Sequence, residues 1–217
     1  MTNSAHDLQH IRSLMDRSTR FLSLSGLSGV WAGLVALGGA YTAKLYINAF
    51  THPSTDPLTY SLVRGDQSYD VMLGILLLDA AIVLFLALAG AFWFTWRRTR
   101  RTQQRLWDAS ARRLIWNLAI PLAAGGVFCL ALFYYGLPGL AIPATLLFYG
   151  LALLNASKYT LDEIRWLGLS EVVLGLIAAF WIGAGLLFWA IGFGVLHIFY
   201  GGLMYLRHER HDATTTG

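Results

Sequence analysis

Asp79, Asn117, Glu171 and His197 each fall inside an apolar run long enough to cross a bilayer. A charged side chain placed there costs at least about 2.5 kcal/mol, so such residues face the interior of a helix bundle or a water-filled path. At a rise of about 1.5 Å per residue, Asp79 lies about 12 Å into its span from the outer end, and Glu171 about 8 Å from the inner end of its own. His197 sits near the middle of the last span, and Asn117 at a depth similar to that of Glu171. Ordered by depth, Asp79, His197 and Glu171 form a carboxylate–imidazole–carboxylate series. A proton relay needs that chemistry, because imidazole exchanges its proton near neutral pH. The competing use of the same groups is structural, each bonding a neighbouring helix and holding the bundle together.

These residues need spans to position them, and the composition supplies spans. The 217 residues are 56% hydrophobic and 13% charged, with a mean hydropathy of +0.54; soluble domains carry about 25% charged residues. Apolar runs at about 21–47 and 70–96 read as spans 1 and 2. The stretch 114–154 is too long for one crossing. Gly136-Leu137-Pro138-Gly139 is turn chemistry that divides it into spans 3 (about 114–135) and 4 (about 140–157). Ile182-Gly183-Ala184-Gly185 likewise separates span 5 (about 164–181) from span 6 (about 186–206). The expected fold is all-α: a polytopic bundle of six transmembrane helices in three antiparallel hairpins. Residues 1–20 form an amphipathic cytoplasmic or interfacial segment, with Leu8, Ile11 and Met15 at helical spacing. Residues 21–206 form the transmembrane domain and 207–217 a polar tail. Residues 48–69 make the sizeable outer loop, and the arginine run 97–101 is too charged for lipid and reads as a loop or interfacial helix. Pro121, inside span 3, leaves the Asn117 carbonyl without its helical partner and predicts a local polar spot.

Charge sets the orientation. With both termini cytoplasmic, fourteen of the sixteen Lys and Arg residues fall on the inner side, leaving only Lys44 and Arg64 outside; this is the positive-inside pattern. The pI near 9.4 reflects these loops, so nucleic acid is not an expected partner. The expected partners are the lipid bilayer, anionic lipid or a cytoplasmic protein. No cofactor is expected. One intramembrane histidine cannot supply bis-His haem ligation. The pairs His6/His10 and His208/His211 have ligand-like spacing but no accompanying cysteine. Cys129 stands alone, which excludes an intrachain disulfide.

Small residues at Ser25, Gly29 and Gly33, spaced by four, and at Gly175 mark helix contacts where backbones approach closely. Gly26-Leu27-Ser28-Gly29-Val30-Trp31-Ala32-Gly33-Leu34-Val35-Ala36 matches Gly168-Leu169-Ser170-Glu171-Val172-Val173-Leu174-Gly175-Leu176-Ile177-Ala178 at seven of eleven positions. A parallel repeat and chance similarity in apolar sequence both account for this match. Gly26-Leu27-Ser28-Gly29 with His197 is superficially similar to the serine–histidine pairing of rhomboid proteases. The serine lies on the first span rather than the fourth, however, and a second-span His-x-x-x-Asn is missing, so no catalytic residue is assigned.

The polar island 155–171 joins spans 4 and 5. Thr160 is expected to cap a helix starting at Leu161, with Glu163 in the capping-box position and Asp162 and Glu163 suiting the positive end of its dipole. Asn155, Ser157, Lys158, Tyr159 and Arg165, with those two acids, can line a cytoplasmic vestibule or dock a partner. The stretches 17–29, 155–171 and 193–201 resemble a family of uncharacterised six-span bacterial integral membrane proteins. That resemblance implies a bacterial inner-membrane location and carries over no activity and no functional residue. Two functions are expected from the residues: passage of protons or a small solute through the bundle, as in a transporter, or a non-transporting sensor or assembly module binding a cytoplasmic partner or anionic lipid.

Overall fold

The computed structural model describes residues 24–50, 67–102, 107 and 109–209. Among them every element is helical. In chain order these are α1 (Gly26–Phe50), α2 (Gln67–Thr102), α3 (Ala109–Tyr134), α4 (Ala141–Ala156) and α5 (Asp162–Phe180). A last helix follows in three continuous parts: α6 (Gly185–Trp189), a π-helical stretch (Ala190–Leu196) and α7 (His197–His208). Five segments are long and apolar enough to cross a membrane: Gly26–Ala49, Asp70–Arg100, Ala109–Tyr134, Pro138–Tyr159 and Ile182–His208. α5 has 19 residues but carries Asp162, Glu163, Arg165 and Glu171, which sets it apart from those five. The turn expected at 136–139 is present, with Gly136 at φ 73° where a side chain would be strained. A 3₁₀ turn at Ile182–Ala184 separates α5 from α6.

The structure corrects three local expectations. The arginine run 97–101 is no separate element: α2 continues through it to Thr102. Arginine is a good helix former, and 36 residues extend about 54 Å, well beyond the hydrocarbon thickness. The excess carries the arginines past the lipid, and Arg100 lies over the Trp96 ring at 4.1 Å. The polar tail does not begin at Arg207, because α7 runs to His208 and Glu209 folds back onto the start of α1. Thr160 is not the N-cap residue of α5. The helix begins at Asp162 with Leu161 at the N-cap position and no side-chain cap. Fully buried Thr160 gives its N–H to the Ser157 carbonyl, and Glu163 turns toward α7 instead of back along the chain. The expectations for residues 1–20, for most of the outer loop and for the histidines at 6, 10 and 211 lie outside the described residues.

Packing relies on glycine, as membrane helices without a hydrophobic driving force require. α4 and α5 cross where Gly150 meets Gly168, and α1 crosses the last helix where Gly26 and Gly29 meet Gly201. α2 lies against α1, with the Trp31 indole N–H donating to the Leu86 carbonyl at 2.9 Å. α3 lies against α4, with Phe128 beside Phe148. The outward faces of α2 and α3 are exposed and apolar, through Leu78, Leu84, Phe85 and Phe92 on one and Ile120, Val127 and Leu130 on the other. Leu153, Leu161, Ile164, Leu167 and Met204 form a buried cluster at the end where α5 begins.

Candidate functional site

α5 carries Glu171 into the centre of the bundle. The residue is fully buried, and among the described residues neither carboxyl oxygen has a hydrogen-bond partner. Opposite it lies the π-helical stretch. A Cβ on Gly192 would stand 2.5 Å from the Glu171 Oε2 and 2.6 Å from the Leu146 side chain, so only glycine leaves room for the carboxyl. The π stretch ends at His197, which is 6% exposed. The His197 backbone N–H goes to the Gly194 carbonyl, and its ring Nδ1 lies 3.0 Å from the Gly192 carbonyl. π-helical turns inside α-helices recur at functional sites because they re-aim side chains and free backbone groups.

The histidine is held on both nitrogens. A carbonyl only accepts, so Nδ1 carries the proton it shares with Gly192, and Nε2 accepts from the Tyr149 hydroxyl at 2.7 Å. Tyr149 and Phe193, whose rings are themselves 5.0 Å apart, each stack near the imidazole, their centroids 5.4 and 5.9 Å from it. Nδ1 is also 3.5 Å from Glu171 Oε1, outside the usual range of a made hydrogen bond. Two charge arrangements suit so dry a place: a neutral carboxyl beside neutral imidazole, or carboxylate beside imidazolium. They differ by the place of one proton: because Nδ1 already carries one, the second proton of an imidazolium lies on Nε2, against the Tyr149 hydroxyl, and not on the nitrogen that faces Glu171.

The other residues read from the sequence are distributed elsewhere. Asp79 accepts from Thr42 Oγ1 at 2.6 Å on the α1–α2 surface; among the described residues no hydrogen bond or ion pair joins it to Glu171 or His197. The Asn117 carbonyl, freed by Pro121, accepts from Asn155 Nδ2 at 3.0 Å, and the Asn117 amide donates to Arg113 O at 2.8 Å. Ser157 donates to the Leu154 carbonyl, while Lys158, Asp162 and Arg165 are exposed and Tyr159 half-buried. Ser28 donates to the Ser25 carbonyl and does not engage His197. Gly29, Gly33 and Gly175 all lie at backbone crossings.

Glu163 and Ser25 belong to a second polar cluster, at the end of α7. Glu163 is within 3.3 Å of Arg207 and 3.2 Å of His208. Burial pushes its carboxyl up, but a backbone hydrogen bond, His208 and Arg207 outweigh that and hold it below the usual carboxylate range. Glu209 accepts from Ser25 Oγ and the Gly26 N–H, capping α1, and pairs with Arg98 at 3.3 Å. Arg98 also donates to the Leu24 carbonyl. One turn of chain, 207–209, thus ties α1, α2 and α5 together.

Sequence reasoning missed Tyr149, Gly192, Arg98 and Glu209. For Tyr149 a signal existed, because Phe148-Tyr149-Gly150 recurs as Phe199-Tyr200-Gly201. Comparison with protein-family models, curated proteins and solved structures finds no match to this chain.

Proposed function

We propose that this chain is a six-span protein of a bacterial inner membrane with both termini cytoplasmic, and that it passes protons, alone or with a small solute, through the bundle at Glu171 and His197. One observation carries the reading. Glu171 is fully buried, with neither oxygen hydrogen-bonded among the described residues, 3.5 Å from a histidine seated at a π-helical break. A carboxyl serving only to hold helices together would be bonded to one of them, since an unsatisfied buried polar group costs about 1–3 kcal/mol. An unbonded carboxyl is a poor fastener, and both of its oxygens stay open to take and release a proton. Support for the sixth crossing comes from Glu163 and Arg207. The first turn of α5 meets the last turn of α7, so the two helices run antiparallel, and 19 residues span about 28 Å.

The test is pH-dye flux in liposomes, with folding of every variant checked by chromatography. Wild type is expected to carry flux, and Glu171→Gln and His197→Ala to lose it at least tenfold. Asp79→Asn reports on the path's extent: retained flux confines the path to the buried centre, and lost flux extends it to the Asp79–Thr42 pair. A second reading has its own observation, the clamp of Arg98, Glu163, Arg207 and Glu209, with Arg97, Arg100, Arg112 and Arg113 exposed. If wild-type liposomes conduct no better than empty ones, the proton path fails, and a sensor or assembly module holding anionic lipid or a cytoplasmic partner on this basic rim takes its place.

A further inference from the structure

The two glycine crossings are the same crossing. On the last helix, a Cβ at Gly201 would lie 2.7 Å from the Gly26 carbonyl and 2.7 Å from the Val30 amide of α1. On α4, a Cβ at Gly150 would lie 2.7 Å from the Gly168 carbonyl and 2.7 Å from the Val172 amide of α5. Two turns further along, Gly33 of α1 meets the Gly194 carbonyl and the Ile198 amide, at 2.6 and 3.0 Å from its would-be Cβ. Gly175 of α5 meets the Pro143 carbonyl and the Leu147 amide at 3.0 and 2.8 Å. The spacings agree throughout: Gly26 to Gly33 as Gly168 to Gly175, and Gly194 to Gly201 as Pro143 to Gly150. Sequence follows geometry, in the seven matched positions of α1 and α5 and in the Phe-Tyr-Gly triplet that places both Gly150 and Gly201.

We infer that α1 with the last helix and α5 with α4 are two copies of one rigid helix-pair unit, which rock against each other about the Glu171–His197 contact when that site gains or loses a proton. Within each unit backbones touch through glycine, and such seams do not slide without collision. Between the units the contacts are made by side chains: an apolar part, Met204 with Leu153, Ile164 and Leu167, and polar contacts of a switchable kind, Glu171 with His197, Tyr149 with His197, Ser170 with Tyr200 at 3.3 Å, and Glu163 with Arg207 and His208. The two central groups are also where the copies differ. Glu171 corresponds to Gly29 of the first unit and His197 to Leu146 of the second, so the proton-bearing pair exists only between units. Around it, α4 contributes Tyr149, the π stretch contributes the Gly192 carbonyl, and α1 presents the Gly29 backbone to the His197 carbonyl. The inference rests on the proton-site reading above, with a readout independent of flux.

Pulsed EPR distances between spin-label pairs, in a Cys129→Ser background, test it. Leu27/Leu206 and Lys158/Arg165 report within units, and Leu27/Arg165 and Leu206/Lys158 between them; all four residues are exposed. Between pH 5 and pH 9 the between-unit distances are expected to shift by several ångströms while the within-unit distances hold. Glu171→Gln should fix the between-unit distances at one value. Because Glu163 and His208 also lie between the units, Glu163→Gln is the control, and it should keep the shift. Between-unit distances that do not change with pH, within-unit distances that change as much, or a shift that survives Glu171→Gln would each overturn the inference. A shift without liposome flux would retain the rocking units and remove only the passage reading. If Glu171→Gln does not fold, Tyr149→Phe replaces it, because it frees His197 Nε2 while keeping the ring stack, and it should displace the pH at which the wild-type shift occurs.

Discussion

Glu163 and Glu171 are two carboxyls eight residues apart on one helix, and their surroundings differ. Glu163 sits ahead of the apolar stretch with Arg207, His208 and a backbone N–H as partners. Its carboxyl is held below the ordinary range, so it releases its proton more readily in the folded protein than in the unfolded chain. The stability this contributes is present above the unfolded carboxyl's range and is lost as pH falls through the lowered folded value. Glu163→Gln is therefore expected to lower the melting temperature in detergent by about 2–4 °C at pH 7.5, the shift that about 1 kcal/mol produces in a chain this size. The difference should close in acid. An unchanged gap at pH 3 would mean that shape, and not charge, sets the contribution. Glu171 has no cationic partner other than a histidine whose nitrogens are already engaged. On the proposed reading, the same residue type on the same helix is a fastener at one position and a proton holder at the other.

At the scale of elements, glycines divide into those that hold the helices at contact distance and those that merely lie on a helix surface. Gly150 and Gly201 face partner backbone, which cannot give way, whereas Gly126 and Gly202 have nothing within 4 Å of a would-be Cβ. Gly201→Ala and Gly150→Ala should each destabilise by about 1–3 kcal/mol, the cost of overpacking. Gly126→Ala and Gly202→Ala should be neutral or stabilising by up to about 1 kcal/mol, the helix preference of alanine over glycine. Thermal melts of the four variants read this directly, and equal losses at Gly150 and Gly201 are what matched crossings require. The elements show how far sequence reaches. The turns at 136–139 and 182–185 were legible because glycine and proline mark them, and the Asn117 carbonyl because Pro121 must orphan it. The π-helical stretch was not: Ala190–Leu196 is apolar throughout, and one extra residue per turn leaves no trace in a uniform run. Tyr149 and Gly192 were equally hidden, since their roles come from α4 and the π stretch meeting α5, which no spacing along the chain encodes. Glu209 looked like tail because its partners, Ser25 and Arg98, are remote in sequence.

For the whole molecule, the number of crossings decides which groups can exchange protons with which side. A chain that crosses six times places the turn Ile182–Ala184 on the side opposite to Lys158 and Arg207; a chain in which α5 stays on one side places that turn with Lys158. The contact of Glu163 with Arg207 and His208 favours the first arrangement, because it brings the beginning of α5 to the finish of the last helix. On the proposed orientation, with the arginine-bearing ends inside, single cysteines at Lys44 and Gly183, in the Cys129→Ser background, should react with a membrane-impermeant maleimide on intact spheroplasts. Cysteines at Lys158 and Arg112 should react only after the membrane is opened. Lys44, Gly183, Lys158 and Arg112 are all exposed at the protein surface, and a cysteine that labels only after the membrane is opened reports sidedness, whereas one that stays silent throughout faces lipid. Labelling of Lys44 without Gly183 would mean five crossings, with α5 lying along one face and Glu171 buried without access to the far side. In that case the carboxyl could exchange its proton with one compartment alone, and the protein would sense pH instead of passing protons.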